Sequence, residues 1–153
     1  MKHIHRLAIG LTLIGVLCAT AGAQQLPGAH PAYLHVLSDL RAARALLYRQ
    51  PGDSKVYADE DFAIHEIDAA IGELKRAAID DGKNIDDHPK VDVQEHGSRL
   101  LKAIELLKTA HADAEREEDN PQLQGLKHRI VDHIGHAIQG AGKAHTEWLK
   151  NKQ

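Results

Sequence analysis

The chain is short of the residues that most often announce chemistry. Its 153 residues hold one cysteine, one methionine, one tryptophan and one phenylalanine, and aromatics make up 3% of the whole. A single cysteine closes no internal disulfide and builds no thiolate metal site. No stretch alternates apolar and polar residues in the way a half-buried strand requires. There is no Gly-x-Ser-x-Gly, no phosphate loop and no His-Glu-x-x-His. The only serines, Ser38, Ser54 and Ser98, stand in no nucleophile motif. An enzyme is therefore the least favoured class.

Basic excess is missing too. Lys and Arg number 19 against 22 Asp and Glu, a net charge of −3. Binding to nucleic acid or to anionic lipid calls for the opposite balance. The apolar run Leu7–Thr20 is shorter than the roughly 20 residues a membrane-spanning helix needs.

That run reads better as part of an address. Lys2, His3, His5 and Arg6 form a basic start, the apolar run follows, and Ala21-Gly22-Ala23 offers small residues where a signal peptidase reads. We expect residues 1–23 to be a secretory signal cut after Ala23, which places the mature chain in the periplasm or outside the cell with no stable membrane anchor. Leu17 ahead of Cys18 is too large for a lipid-attachment site. Cleavage removes the only Cys and the only Met. It also removes Lys2 and Arg6, leaving 17 basic residues against 22 acidic, a net of −5. Ten of the 12 histidines stay, so the charge climbs as the pH falls below about 6.5.

What is present is helical pattern. Residues 24–29 are a short leader, and residues 30–150 are expected to hold four helices, near 31–49, 59–81, 92–117 and 121–150. Pro31 suits a first helical turn. Tyr33, Val36, Leu40, Ala43 and Leu47 then recur at spacings of three and four, one helix face. Pro51-Gly52-Asp53 stops it. Asp59 caps the second helix, whose face is Ile64, Ile67, Ile71, Leu74 and Ala78. Asp92 and Glu95 resemble a capping box before the third, with Val93, Gly97, Leu100, Ile104, Leu107, His111 and Ala114 on its face. Asn120-Pro121 opens the fourth, which buries Val131, Ile134, Ile138, Ala141, His145 and Trp148.

The four faces superpose at shifts of 31, 33 and 34 residues. A tetratricopeptide period is close to this, but it contains two helices where this one contains one. The pattern instead predicts an all-α fold, an antiparallel up-down four-helix bundle. Its core would be mostly Leu, Ile and Ala. Gly135, Gly140 and Gly142 lighten the last helix, each costing about 1 kcal/mol against Ala unless it admits a neighbour or a ligand.

Histidine is the one residue in excess. Asp61 with His65, Asp92 with His96 and Asp132 with His136 stand one helical turn apart, and His128 extends the last pair into a stripe. Such pairs suit shared binding of a transition metal such as Zn, Cu or Ni, or simple ion pairing. The helical wheel puts His128, Asp132 and His136 opposite the apolar stripe and His65 off its own. It puts His111 and His145 inside the core and His96 on a flank. An up-down bundle then offers two end clusters. The preferred one is His35, His96 and His145, shielded by Trp148 and backed by Asp92; the second is His65, His111 and His128. Known bundle chemistries do not fit the residues. No Glu has a His three positions later, as di-iron carboxylate bundles need. There is no Cys-x-x-Cys-His for c-type haem and no Met left for a Met–His pair, though a haem between two histidines stays open.

The leading functional expectation is a small exported bundle that binds a protein partner or self-associates, with no certain cofactor. The alternative is a histidine-based buffer or carrier of a divalent transition metal.

Overall fold

The computed structural model describes residues 31–51, 53, 55, 57–76, 90, 92, 93, 95–117 and 125–152. The expected signal and leader, residues 1–29, lie outside them. So does the expected helix start at Asn120-Pro121.

The described residues form four helices and no strand: α1 Pro31–Leu47, α2 Ala58–Arg76, α3 His96–Arg116 and α4 Leu126–Asn151. None is long and apolar enough to cross a membrane. α1 ends where the next residues turn back: the Gln50 amide donates to Asp53 Oδ2 at 2.8 Å and the Asp53 amide to Gln50 O at 3.1 Å. α2 begins at Ala58, so Asp59 lies inside its first turn instead of capping it; Asp59, Glu60 and Asp61 there suit the positive end of the helix dipole. α3 begins at His96, four residues later than the Asp92 box implies. Its cap is Glu95, whose carboxylate accepts the Ser98 amide at 2.6 Å, while Asp92 and Val93 are not helical. α4 begins only after Gly125, which has φ +74°, a left-handed conformation that glycine adopts without steric cost.

The helices pack as a bundle, but their order differs from up-down-up-down. Arg99 near the start of α3 donates to Leu46 O at the end of α1, at 3.3 Å. His96 meets Glu60 near the start of α2, at 2.9 Å. Lys152, just past α4, reaches Glu95 at 3.8 Å. One end of the bundle thus gathers the end of α1, the starts of α2 and α3 and the end of α4. Going round the bundle the order is α1, α2, α4, α3, with each neighbour antiparallel and α2 and α3 parallel across the diagonal. The tightest seams are α2 with α4 and α1 with α3; α1 with α2 is the loosest. A 19-residue helix is about 28 Å long, and the residues between Arg76 and His96 are numerous enough to return the chain that distance.

The core is Leu, Ile, Val and Ala. In α1 the expected stripe is the buried one, Tyr33, Val36, Leu40, Ala43 and Leu47; in α2 Ile67, Ile71 and Leu74 are buried as expected, but Ile64 is half-buried and Ala63 and Ala70 are buried beside them. Ala78 lies outside the described residues. In α3 and α4 the buried stripe is rotated. Ala103 and Ala110 are fully buried beside Leu100 and Leu107, as are Ala137 and Ala144 beside Ile134 and Ala141. Ile104, His111, Ile138 and His145 move to the seams, half-buried. Spacings of three and four both fit one helix face, so sequence alone leaves the choice between Ala103 and Ile104 open. Alanine wins because it lets helix backbones approach closely, and the larger side chains then fill the seams. Full burial of each Leu or Ile contributes about 1.5–3 kcal/mol.

Two glycines mark close approaches. A Cβ on Gly97 would meet the Trp148 ring at 2.5 Å, so the indole lies flat on α3 there. A Cβ on Gly140 would meet Asp59 O and Phe62 Cδ1 at 2.9 Å, which dates the tight α2–α4 seam to that missing side chain. Gly135 and Gly142 have nothing within 4 Å and serve no such contact.

Candidate functional site

Three arrangements carry charge or exposed apolar surface. The first is an ionic network under the end where α2 and α3 begin. Glu60, Arg99 and Arg41 are the buried charged residues of the described chain. Glu60 is 1% exposed because it continues the Ala63–Ile67 stripe one turn back, so the same periodicity that buries those residues carries it inside. Its Oε1 faces His96 Nε2 at 2.9 Å and accepts the Tyr57 amide at 3.4 Å. The Tyr57 ring lies 5.9 Å from the His96 ring. Beside this pair, Arg99 donates from one nitrogen to both Asp53 oxygens at 2.7 Å, with side-chain exposures of 2% and 7%. Arg99 thereby ties the α1–α2 turn, through Asp53 and Leu46 O, to the first turn of α3.

The two carboxylates respond differently to burial. Burial pushes Glu60 above the usual carboxylate range; the His96 imidazole and the Tyr57 amide oppose this without reversing it, and Asp53 adds to it. Burial also works to raise Asp53, but hydrogen bonds from Arg99 and from the Gln50 amide, with the Arg99 charge, hold it below that range. Removing one member of such a buried pair strands the other in a dry setting.

The second arrangement lies on the α2–α4 seam. Glu66 Oε2 stands 2.7 Å from His133 Nδ1 and 3.5 Å from His136 Nδ1. Nearer the other end of the same seam, Arg129 donates to Glu73 at 2.9 Å, and Glu73 also holds Arg76. Burial tends to raise Glu66, yet the hydrogen bond and charge of His133, then those of His136, carry it below the usual range.

The third is apolar. Tyr48, Phe62, Leu101 and Leu149 are the exposed large hydrophobics of the described chain, at 44–49%. They sit past the end of α1, in the second turns of α2 and α3 and in the last turn of α4, so all four belong to the end that covers the ionic network. A shallow open cleft of about 460 Å³ adjoins it, lined by Asp59 of α2 and by Gly142, Lys143, Thr146 and Lys150 of α4.

The histidines expected to form a site are dispersed. His96 is in the ionic network. His145 stacks on Trp148 at 5.9 Å, one turn from the end of α4, and is half-buried on the seam instead of in the core. His35 is exposed in the first turns of α1, at the opposite end, where Asp39 shares its field with Asp113. The cluster His35, His96, His145 therefore does not assemble; it required up-down-up-down order. Asp92 is exposed. His65 is exposed on α2. His111 pairs with Glu115 at 3.6 Å on its own helix, and His128 with Asp132 at 3.1 Å on its own. His128 is 81% exposed, in keeping with the wheel. Among the described residues no group of three or more His, Cys, Asp or Glu is arranged to hold a metal ion.

Sequence reasoning missed Glu60, Arg99 and Glu66. Glu60 had a signal, its register with Ala63 and Ile67. Glu66 had none, because its partners come from a helix 67 positions away. No family model matches the chain, and neither a curated protein nor a solved structure is significantly similar to it.

Proposed function

We propose that the chain is a non-enzymatic binding protein: an exported helical bundle that joins a protein partner, or a second copy of itself, through the end that covers Asp53, Glu60, His96 and Arg99. The supporting observation is the gathering of Tyr48, Phe62, Leu101 and Leu149 at that end. Large apolar side chains left in water at one end of a bundle are candidates for an interaction surface. The ionic network beneath suits a fixed platform, since its carboxylates, imidazole and guanidinium are engaged with one another. Export rests on the basic start, the apolar run and Ala21-Gly22-Ala23.

The test uses chain purified from cells expressing all 153 residues. Intact mass beginning at Gln24 supports export; an uncut chain counts against it. Sedimentation across a wide concentration range, together with cross-linking in the exporting host, should reveal self-association or one specific partner. Leu101→Asp with Leu149→Asp should abolish it while leaving the helical circular dichroism intact. A strictly monomeric chain with no cross-linked partner, or association that survives the double variant, overturns the reading.

A further inference from the structure

Two ionic ties hold the first turn of α3, and their cations differ in kind. Arg99 meets Asp53 at 2.7 Å, and a guanidinium keeps its charge at any working pH. Glu60 Oε1 meets His96 Nε2 at 2.9 Å, and histidine is the cationic side chain that gives up its charge between about pH 5 and 8. Two acceptors do not face each other at that distance, so a proton stands between the oxygen and the nitrogen. Both side chains are mostly out of water, with exposures of 2% for Glu60 and 13% for His96. The same carboxylate closes the opening turn of α2: its Oε1 accepts the Tyr57 amide at 3.4 Å, while the Glu60 amide donates to Tyr57 O at 2.9 Å. One side chain thus joins the starts of two helices that share no main seam.

Charged groups surround this pair on every side. The α1–α2 turn brings Asp53, Tyr57 and Lys55, whose amine lies 5.1 Å over the Tyr57 ring. On α2, Asp59 and Asp61 flank Glu60 in the first turn. α1 supplies Leu46 O to Arg99 and carries the buried Arg41 a little over one turn back. Past the end of α4, Lys152 reaches Glu95, the cap of α3, and His145 of α4 stacks on Trp148, whose ring covers Gly97. Arg99 is engaged with Asp53 and Lys152 with Glu95, so the cation set directly against Glu60 is the imidazole. With the imidazole charged, Asp53 and Glu60 balance His96 and Arg99. With it neutral and Glu60 ionised, a buried carboxylate is left without a full countercharge in the field of Asp53. A proton or water must then relieve it.

We propose that Glu60 and His96 form a proton-operated clasp: while the pair holds its extra proton it ties the start of α3 to the start of α2 and the α1–α2 turn, and loss of that proton as pH rises lets this end of the bundle open. The platform is fixed only while the clasp is closed. Burial makes Glu60 keep its proton to higher pH than a free carboxyl, which acts in the same direction, since such a group favours the closed form while protonated. The two groups titrate together, so the window belongs to the pair and not to either residue. Tyr48, Phe62 and Leu101 each stand two residues beyond a member of the ties, Leu46, Glu60 and Arg99, so opening displaces them. That consequence rests on the reading of this end as a docking surface; the clasp itself does not.

The test is backbone amide exchange of the chain purified from cells expressing all 153 residues, followed over a series from acid to mildly alkaline pH and corrected for the intrinsic rate at each pH. The reporters are the amides of Glu60 and Arg99, bonded to Tyr57 O and Glu95 O; the reference is the Arg129 amide, bonded to Gly125 O at the opposite end. Protection of the two reporters should fall with rising pH relative to the reference, by up to about tenfold per pH unit, the slope of one proton released on opening. Glu60→Gln keeps the shape but binds no proton, and should flatten the fall. His96→Gln still donates a hydrogen bond but takes up no proton, and should move the fall to lower pH. His145→Gln changes the neighbouring imidazole and should leave the fall where it is. No excess fall at Glu60 and Arg99, a fall that survives Glu60→Gln, one that His96→Gln leaves unmoved, or one that shifts with His145→Gln would each overturn the clasp. Exchange is read on the chain alone, so failure of the clasp and absence of a docking partner are separate results.

Discussion

Two carboxylate–imidazole pairs in this bundle have nearly the same geometry and opposite electrostatics. Glu60 meets His96 at 2.9 Å, and Glu66 meets His133 at 2.7 Å. Yet Glu60 titrates above the usual range and Glu66 below it. Distance to the partner does not separate them; surroundings do. Glu60 is inside the core stripe with a second carboxylate, Asp53, close by. Glu66 is at a seam with two imidazoles and water beside it. A hydrogen bond to histidine therefore says little about a carboxylate until the cost of removing it from water is weighed against the charges around it. The buried pair suits a structural joint, and the seam pair keeps its imidazoles partly in water.

That contrast predicts unequal consequences for substitution. The largest belongs to the buried end. Arg99→Ala strands Asp53 and takes a donor from Leu46 O, and should cost about 3–5 kcal/mol in urea unfolding. Replacing Arg99 and Asp53 together by Met and Leu should restore most of that loss, because the desolvation of both charges disappears with them. If Arg99→Ala is nearly neutral, the network is not a joint.

Next comes Glu60→Gln, read against pH. A carboxyl raised in the folded state keeps its proton to higher pH than in the unfolded chain. Its contribution is thus full below the ordinary value of 4.5 and is lost as pH rises through the folded value. Glutamine does not titrate, so the melting temperature of Glu60→Gln relative to the parent should climb with pH across that window. A flat difference would place Glu60 outside the dry core.

Glu66→Gln should have the smallest effect on stability and the opposite slope. Its carboxyl is lowered in the folded state, so its contribution is present above 4.5 and fades as pH falls through the folded value. Solvent screening keeps the loss to about 1 kcal/mol or less near neutral pH, and the difference between variant and parent should close in acid. Melts of the two variants over one pH series therefore set the two pairs directly against each other.

Much of the fold was legible in residue order. Val36, Leu40, Ala43 and Leu47, and Ile67, Ile71 and Leu74, are buried where their spacing puts them. Pattern failed where two registers fit equally, as at Ala103 and Ile104, and where a start signal was local, as at Asp92 against Glu95. The site was far less legible. Two of the histidines grouped from sequence, His35 and His96, stand at opposite ends, because grouping them presumed a direction for α3 that no local pattern encodes.

The amino-acid order by itself determined four amphipathic helices, an aliphatic core and the outward position of His128 and His136, because each follows from a period along one helix. The tertiary structure alone decided that α2 and α3 run parallel, that Glu60 and Arg99 are buried, and that Glu66 lies between His133 and His136. Those facts depend on which helix faces which, and that is settled by packing small residues such as Gly140 and Ala137 against neighbours far away in the chain.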